Sequence, residues 1–316
     1  MFTLIDLEAF ARVVRERSFA KAGKSLAMTP SAISKAVARL ELQLGVSLLV
    51  RTTRSIRLTE PGASFHVRCL RIMRELAEAK SELSSLDRAP HGRLGVALPW
   101  TLATRYAMPL LTTFAQQQPH IELDLHLSDR FVDLVTDDMD VALRIGSLAD
   151  SSLVVRKLAT TRLVLVASPA YLEKHGVPQA PSELSRHACL LFRSSNTGAT
   201  LAWQLRQGTR SLVTRPVAAL TSNSAEALAR GAESGLGITQ LLSITAAEPV
   251  ARGALVPVLE SFSADGPSLS LLTTKEQSTT PKVRALSDFL ASELRGVPPW
   301  ERELRRAERE RARGGA

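Results

Sequence analysis

The sequence predicts a small helical head that ends in a basic hairpin, then one long helix, then a large α/β region built as two lobes. Three observations support this prediction. Short segments of helical spacing precede an arginine-rich hairpin within residues 1–60. A long stretch of helical rhythm follows, and beyond it apolar runs of strand length alternate with amphipathic segments. We therefore divide the chain at 1–60, 61–90, 91–295 and 296–316.

The charge of the chain is concentrated at its beginning. The 316 residues carry a net charge of +9, and residues 1–60 hold ten Lys and Arg against five Asp and Glu. A local basic cluster favours a polyanion such as nucleic acid, although a solubilising surface explains the same charge. Length allows about two domains.

Composition also bounds the location of the chain. No apolar run reaches the roughly 20 residues of a membrane span, and MFTLIDLEAF has no basic segment before an apolar block. Cys69 and Cys189 lie far apart without metal-ligand spacing. We therefore expect a cytoplasmic protein with reduced thiols, no membrane partner and no cofactor.

The first two helices are predicted at residues 5–15 and 20–26, where apolar side chains recur every three or four positions. Ser18 is the expected N-cap of the second helix. A third helix should begin at Thr29, a good N-cap, with Pro30 at its first position, and should end at Gly45. Its core face carries Ile33, Val37, Leu40 and Leu44.

The opposite face of the third helix is small at its start and basic further on. We expect Ser31, Ala32, Ser34 and Lys35 to face base edges, because small side chains let a helix enter the major groove. An ordinary amphipathic helix with a solvated outer face explains the same pattern.

A basic hairpin follows this helix. Two short strand-like runs flank residues 52–55, and the order of three helices and a basic hairpin is typical of a winged helix-turn-helix. The residues expected to contact phosphates are Thr29, Arg39, Arg51, Arg54 and Arg57.

The long helix is predicted over residues 61–87. Phe65, Cys69, Ile72, Leu76, Leu83 and Leu86 form its apolar stripe. A helix of this length must bury such a stripe, either against a partner helix or against its own domain.

The region 91–295 alternates strands and helices, with a short helix expected at 132–137 and a final helix at 281–294. Acidic residues cluster in the first of these, where caps are a commoner use than catalysis. No metal spacing, nucleophile motif or phosphate loop is present, so we predict no enzyme.

Small-molecule binding is the better interpretation of this region, because clefts of two-lobed α/β folds lie at strand ends beside helix N-termini. Capping or local packing is the alternative use of each candidate. The candidates are Trp100, Thr101, Leu102, Ser128, Arg144, Ser194, Asn196, Trp203 and Asn223. The tail, 296–316, alternates Glu and Arg and is either helical or disordered, with a second nucleic-acid contact as a further reading.

Several motifs resemble the LysR-type transcriptional regulators. In the head they are Ser18-Phe19, Ala22-Gly23, Ala32-Ile33-Ser34-Lys35, Leu40-Glu41, Leu44-Gly45, Arg51-Thr52-Thr53-Arg54 and Leu58-Thr59-Glu60-Pro61-Gly62. Further on they are the stretches 128–134, 140–146 and 167–172. Pro30-Ser31 departs from the Gln-Pro that is common in the family, and Leu49 replaces a Phe.

The resemblance implies a type 2 periplasmic-binding-protein fold for the α/β region and pairing of two chains through the long helix. It implies a ligand-responsive transcription factor. The expected partners are double-stranded DNA with a dyad-like operator, a small-molecule effector, further copies in a homodimer or homotetramer, and RNA polymerase. The polar groups of the cleft suit a small polar or anionic effector. The rivals are a small-molecule binding protein or enzyme with an incidental helical head, and a nucleoid protein without sequence preference.

Overall fold

The computed structural model describes residues 2–51, 56–84, 90–146 and 152–314. These residues form two compact units. The first comprises residues 2–84 together with 133–139, and the second comprises residues 90–132 together with 140–314.

The first unit is a three-helix head followed by a hairpin and a long helix. Its described elements are α1 (Leu4–Glu16), α2 (Phe19–Ser25), α3 (Pro30–Leu44), β1 (Leu49–Arg51), β2 (Ile56–Leu58) and α4 (Glu60–Ser84). The predicted caps are confirmed. The Lys21 N–H donates to Ser18 Oγ, the Ala32 N–H donates to Thr29 Oγ1, and Gly45 ends α3 with a φ of 69°.

Two glycines of the head allow close backbone approach. A Cβ on Gly23 would lie 2.6 Å from the Met28 carbonyl oxygen, and one on Gly62 would lie 2.0 Å from the Leu48 carbonyl oxygen. The first contact sets the tight turn between α2 and α3. The second packs the start of α4 directly against the chain entering the hairpin.

The second unit contains the α/β region and the charged tail. Its described helices and strands are β3 (Gly92–Leu98), α5 (Trp100–Leu102), a π-helical turn (Ala103–Ala107), α6 (Met108–Gln117), β4 (Ile121–Leu127), β5 (Val141–Ile145), β6 (Val154–Ala159), β7 (Arg162–Ala167), α7 (Pro169–His175), β8 (Cys189–Phe192), β9 (Trp203–Gln207), β10 (Arg210–Thr214), β11 (Ala218–Ser222), α8 (Ala225–Glu233), β12 (Ile238–Leu242), α9 (Ser243–Ala251), β13 (Val256–Val258), β14 (Ala264–Asp265), β15 (Leu269–Thr273), α10 (Pro281–Glu293) and α11 (Pro299–Gly314).

Each lobe of this unit is built on its own sheet. Lobe I has the strand order β4-β3-β5-β15-β6, and lobe II has the order β11-β8-β12-β7-β13, with β14 also paired to β7. In lobe I, β3 pairs in parallel with β4 and β5, while β15 runs antiparallel to both of its neighbours. In lobe II, β8 pairs in parallel with β11 and β12, so both lobes mix parallel and antiparallel pairs.

The connections from β6 to β7 and from β14 to β15 both cross between the lobes, and these two crossings are joined. The Gly266 N–H donates to the Thr161 carbonyl oxygen at 2.8 Å, and Thr161 Oγ1 donates to the Pro267 carbonyl oxygen at 2.6 Å. A Cβ on Gly266 would lie 2.4 Å from Thr161 Oγ1. The two crossing segments therefore lie in direct contact.

The helix expected at residues 132–137 is wrong, because a turn occupies residues 134–138. Asp133 Oδ1 accepts the N–H groups of Val135 and Thr136, and Asp137 Oδ2 accepts the Asp133 N–H. Carboxylates that bond to nearby backbone N–H groups compete with helical bonds. The acidic cluster is thus used to build a turn.

Candidate DNA interface and effector cleft

The outer face of α3 is exposed along the predicted line. Ser31, Lys35 and Ala38 are exposed, whereas Ala32 and Ser34 are half-buried. Ile33 and Val37 are fully buried on the opposite face. The helix therefore presents small side chains first and a lysine one turn later. Thr29 caps the same helix, so its hydroxyl oxygen is already an acceptor for backbone.

Arg39, expected to contact phosphate, is bound to a buried carboxylate in the head. Its Nε donates to Asp6 Oδ2 at 3.1 Å, and its Nη2 donates to Asp6 Oδ1. Asp6 is fully buried and also accepts the Thr3 N–H at 2.8 Å, which caps α1. The pair therefore joins α1 to α3.

The electrostatics of this pair favour the ionised carboxylate. Burial alone would raise the pKa of Asp6, but hydrogen bonds from Arg39 and Thr3 outweigh it and hold the pKa below its ordinary value. Half of the Arg39 side chain remains exposed. The residue thus has a structural partner on one side and solvent on the other.

Glu41 positions the hairpin, a role that was not predicted from the sequence. Its Oε1 accepts the Leu48 N–H at 2.8 Å and the Leu49 N–H at 3.0 Å. The carboxylate therefore fixes the first strand of the hairpin relative to α3. The Leu40-Glu41 motif could have indicated this role, because an acidic residue on a basic surface usually binds a backbone N–H or a cation.

The hairpin has the expected antiparallel pairing, with Val50 opposite Arg57. Arg57 is exposed. The turn 52–55, and with it the predicted phosphate contact Arg54, lies outside the described residues, and for Arg51 only the backbone is described. Thr59 ends the hairpin, where its hydroxyl donates to the Ser47 carbonyl oxygen and accepts the Gly62 N–H.

The first half of α4 packs on its own head. Cys69 is fully buried, and Phe65 and Met73 pack against the same core. Ile72 is 44% exposed, so the stripe is only partly covered at this level of the helix. The last part of the expected stripe, at Leu86, lies outside the described residues.

A cavity of about 170 Å³ lies in the second unit between the two lobes. Six of the predicted effector residues line it, namely Thr101, Leu102, Ser128, Arg144, Asn196 and Asn223. Asn196 joins the lobes across it, since its Oδ1 accepts the Phe131 N–H at 2.9 Å. Strand ends and helix starts from both lobes therefore converge as the sequence suggested.

Three predicted residues do not line this cavity. Trp203 is 3% exposed at the start of β9, where its indole belongs to the same buried cluster of lobe II as Leu205 and Leu165. Trp100 is 55% exposed, and its backbone N–H donates to Asp129 Oδ1. Ser194 is used locally, because its Oγ accepts the N–H groups of Asn196 and Thr197.

Most of the remaining lining is apolar and was missed. It includes Phe131, Val132, Leu143, Ile145, Leu242 and Ile244. Such residues carry no chemical signal in a sequence, since an apolar wall and an apolar core have the same composition. The start of α9 was missed with them because Pro249 lies inside that helix.

The described charged side chains that line the cavity are Arg130, Arg144 and Asp129, so cations outnumber carboxylates there, and two features add to its positive character. The Arg144 guanidinium lies 4.4 Å from the centre of the Phe131 ring and donates to the Val132 carbonyl oxygen. Ala225, in the first turn of α8, and Ile244 and Thr245, in the first turn of α9, also line the cavity. Helix starts present N–H donors and the positive end of the helix dipole.

Charged side chains also connect lobe I to lobe II. Arg105, in the π-helical turn that follows Thr101 and Leu102, donates to both oxygens of Glu226 at 2.9 and 2.8 Å. It also donates to Glu248 at 2.5 Å. These two acidic residues belong to α8 and α9, so one arginine of lobe I holds two helices of lobe II.

Neither metal nor membrane features are found in the described residues. No three or more His, Cys, Asp and Glu side chains there are grouped to hold a metal ion. No helix in these same ranges combines the length and apolar character needed to cross a bilayer.

Comparisons with known proteins agree with this arrangement. Residues 4–63 match the family "Bacterial regulatory helix-turn-helix protein, lysR family", and residues 87–295 match the "LysR substrate binding domain". A transcriptional regulator of Xanthomonas campestris is 37% identical over 92% of this chain and 85% of its own length.

The regulator CrgA of Neisseria meningitidis is 37% identical over 92% of this chain and 96% of its own length. Its solved structure matches with a TM-score of 0.60, 34% identity and coverage of 94% of this chain and 100% of that one. The full-length activator AphB of Vibrio cholerae matches with a TM-score of 0.61 and 30% identity over 92% and 99% of the two chains.

Proposed function

This chain belongs to the LysR-type transcriptional regulators, and from that premise we propose how its own residues divide DNA recognition from effector sensing. It is a DNA-binding regulator with an effector-binding domain, and its relatives are regulators, not enzymes. The observation that carries the proposal is the exposed face of α3, small at Ser31 and basic at Lys35.

We assign Ser31, Ala32, Ser34 and Lys35 to base edges in the major groove. Small side chains permit close approach, and lysine is a donor suited to guanine acceptors. The backbone N–H groups at the start of α3, together with Arg51, Arg54 and Arg57 of the hairpin, are assigned to phosphates, which fix register without reading sequence. Arg39 has a second role in the fold, so its phosphate contact uses only the exposed half of its side chain.

The effector is proposed to be a small carboxylate with a compact apolar body. Arg144 and the starts of α8 and α9 supply positive character at one place in the cavity, while Phe192, Leu242 and Ile244 supply apolar walls. A cavity of about 170 Å³ suits a small metabolite. Thr101, Ser128 and Asn223 are proposed to hydrogen-bond the polar groups of such a molecule, together with the amide nitrogen of Asn196, whose Oδ1 accepts the Phe131 N–H.

Paired heads on a dyad-like operator are the proposed assembly, as a homodimer or homotetramer, because two-fold proteins read two-fold sites. α4 is the proposed pairing helix, supported by the exposed Ile72 on its stripe. The cytoplasm is the proposed location, and RNA polymerase is a proposed partner that rests on the family alone.

The test of this function is the binding of a Lys35→Ala variant to DNA from upstream of its own gene and to random DNA of equal length. Removing a base contact should cost about 1–3 kcal/mol on the operator and much less on random DNA. Lys174→Ala removes the same charge from an exposed position of α7 and is the matched control. Equal losses on both DNAs would reject the base-reading role of Lys35.

A further inference from the structure

α11 lies beyond the stretch that matches the family, which ends at residue 295, and the proposed function does not use it. It is nevertheless firmly docked on the second unit. Trp300 is fully buried, and its Nε1 donates to the Thr160 carbonyl oxygen at 3.1 Å. Its ring meets the edge of Tyr106 with 5.4 Å between centroids. Leu304 is also fully buried.

Three of the four acidic residues of α11 are turned toward the unit. Glu301 is 3% exposed and accepts the Arg162 Nε at 2.7 Å. Glu308 accepts the Arg162 Nη2 at 3.2 Å, and Glu303 accepts the Tyr106 hydroxyl at 2.9 Å. Three of its glutamates are therefore occupied by groups of the domain.

Five of the six arginines of α11 are turned outward and exposed, namely Arg302, Arg305, Arg306, Arg309 and Arg313. The sixth, Arg311, binds Glu260 and the Pro257 carbonyl oxygen of the unit. At 100° per residue these five fall within an arc of about 100°, and they extend over about 16 Å of helix. Among the residues that the structure describes, Glu310 pairs with Arg306, and the other four have no ion pair.

A helix that merely solubilises a surface would gain from i,i+4 pairs between its own Glu and Arg. Here three of the four glutamates bind the unit and five of the six arginines face outward, and Arg306–Glu310 is the one such pair within the described part of α11. The helix is held by its inner face, so the outer arginines are displayed in a fixed row before any partner arrives. We call these five side chains the arginine row.

We propose that the arginine row binds the phosphate backbone of duplex DNA outside the bases that α3 reads. This inference rests on the proposed function, because it takes DNA as the partner. Guanidinium groups are well suited to phosphate oxygens and can bind them in pairs. About 16 Å of duplex offers about five phosphates on one strand.

The makeup of the row favours DNA over the other polyanionic surfaces. A helix that lies on anionic lipid needs an apolar face to insert, and the apolar face of α11 is already buried at Trp300 and Leu304. A protein interface is usually centred on apolar or aromatic anchors, and the exposed arc has none between its arginines. A phosphate backbone requires neither. Once the head is bound, DNA is also present at high local concentration.

The experiment uses the full chain with Arg302, Arg305 and Arg309 each replaced by Gln, which keeps helix propensity and removes three charges. Affinity for the upstream DNA and for a long random duplex is measured by fluorescence anisotropy across a range of KCl concentrations. The slope of log affinity against log salt should fall by about 3, and the two DNAs should be affected alike because phosphates carry no sequence.

The matched control replaces three exposed arginines elsewhere in the second unit, Arg186, Arg215 and Arg284, by Gln. It should leave the slope nearly unchanged, and Lys at the three row positions should restore it. Circular dichroism verifies that both variants fold.

The proposal would be overturned if the row variant and the control gave equal salt slopes. It would also be overturned if the row variant bound DNA normally but no longer supported transcription by added polymerase. If the unaltered protein showed no preference for the upstream DNA over random DNA, that result would count against the proposed function. The salt slope on random DNA would still test the arginine row in that case.

Discussion

Asp6 links two helices of the head through a single carboxylate. It caps α1 through the Thr3 N–H and binds Arg39 of α3. A buried carboxylate is stable only when its oxygens are satisfied, and here four donors from Thr3 and Arg39 satisfy them. The orientation of α3 in the head, and so the direction of its exposed face, depends on this residue.

Replacing Asp6 by Asn should destabilise the head by about 2 kcal/mol, because charge-assisted hydrogen bonds are lost. The pKa of Asp6 is held below its ordinary value of 3.8. Its stabilisation is therefore complete above that pH and disappears as the pH falls through the lower folded-state pKa. The measurement is urea unfolding of the full chain, followed at α1 by amide exchange, at neutral and at acid pH.

Glu8→Gln removes a carboxylate from the same helix and is the control for Asp6→Asn. It should leave the unfolding of α1 unchanged at both pH values. A loss in Asp6→Asn that persisted undiminished at low pH would show that the ionised pair is not its cause.

At the scale of elements, α3 and α11 explain what a sequence can and cannot predict. The start, the end and both faces of α3 were predictable, because Thr29, Pro30 and Gly45 are local signals and the apolar spacing is regular. The inward direction of Glu301 and Glu308 was not, since it depends on Arg162, which lies 139 residues earlier. The prediction of Trp203 as an effector contact was wrong for the same reason, because only the packed lobe reveals which tryptophan fills a core.

The cavity was predictable in its polar part and not in its apolar part. Thr101, Ser128 and Asn223 stand beside helix starts or strand ends, where topology directs them to a cleft. Val132 and Ile244 carry no such signal. Glu41 was visible as part of a motif, but its two bonds to the hairpin backbone became clear only from the fold.

The contact between α4 and the hairpin leads to a prediction about Gly62. Gly62→Ala would normally gain helix stability, yet its Cβ would lie 2.0 Å from the Leu48 carbonyl oxygen and 2.8 Å from its carbon. We expect a net destabilisation of about 1–3 kcal/mol and weaker DNA binding, because the hairpin must shift. Thermal unfolding and DNA affinity of the full chain measure both.

Ser64→Ala is the matched control for this change, since Ser64 is exposed in the same turn of α4. Its stability and DNA affinity should stay close to those of the unaltered chain. If Gly62→Ala behaved in the same way, the close approach of Leu48 would not constrain the head.

At the scale of the whole molecule, ligand binding should appear as stability of the second unit. Small carboxylates, benzoate among them, should raise the thermal midpoint, while the corresponding amides should not. A ligand at 100 times its Kd stabilises by about 2.7 kcal/mol, which is a shift of several degrees for a unit of this size. Differential scanning calorimetry of the full chain measures the shift.

Arg144→Gln should remove the carboxylate effect, and Arg186→Gln, which changes an exposed arginine far along the chain, should keep it. Amides that stabilised as well as their carboxylates would contradict the anionic class of the effector. A shift that survived in Arg144→Gln would assign the anion to another part of the molecule.

The two thiols of the chain have a consequence for what the regulator can sense. Cys69 and Cys189 are both buried, and burial raises the pKa of Cys69 to about 12 and that of Cys189 to about 11. Thiolates, not thiols, react with peroxides. We therefore expect both thiols to react slowly with peroxides in the folded chain, so that oxidants are a poor signal for this regulator.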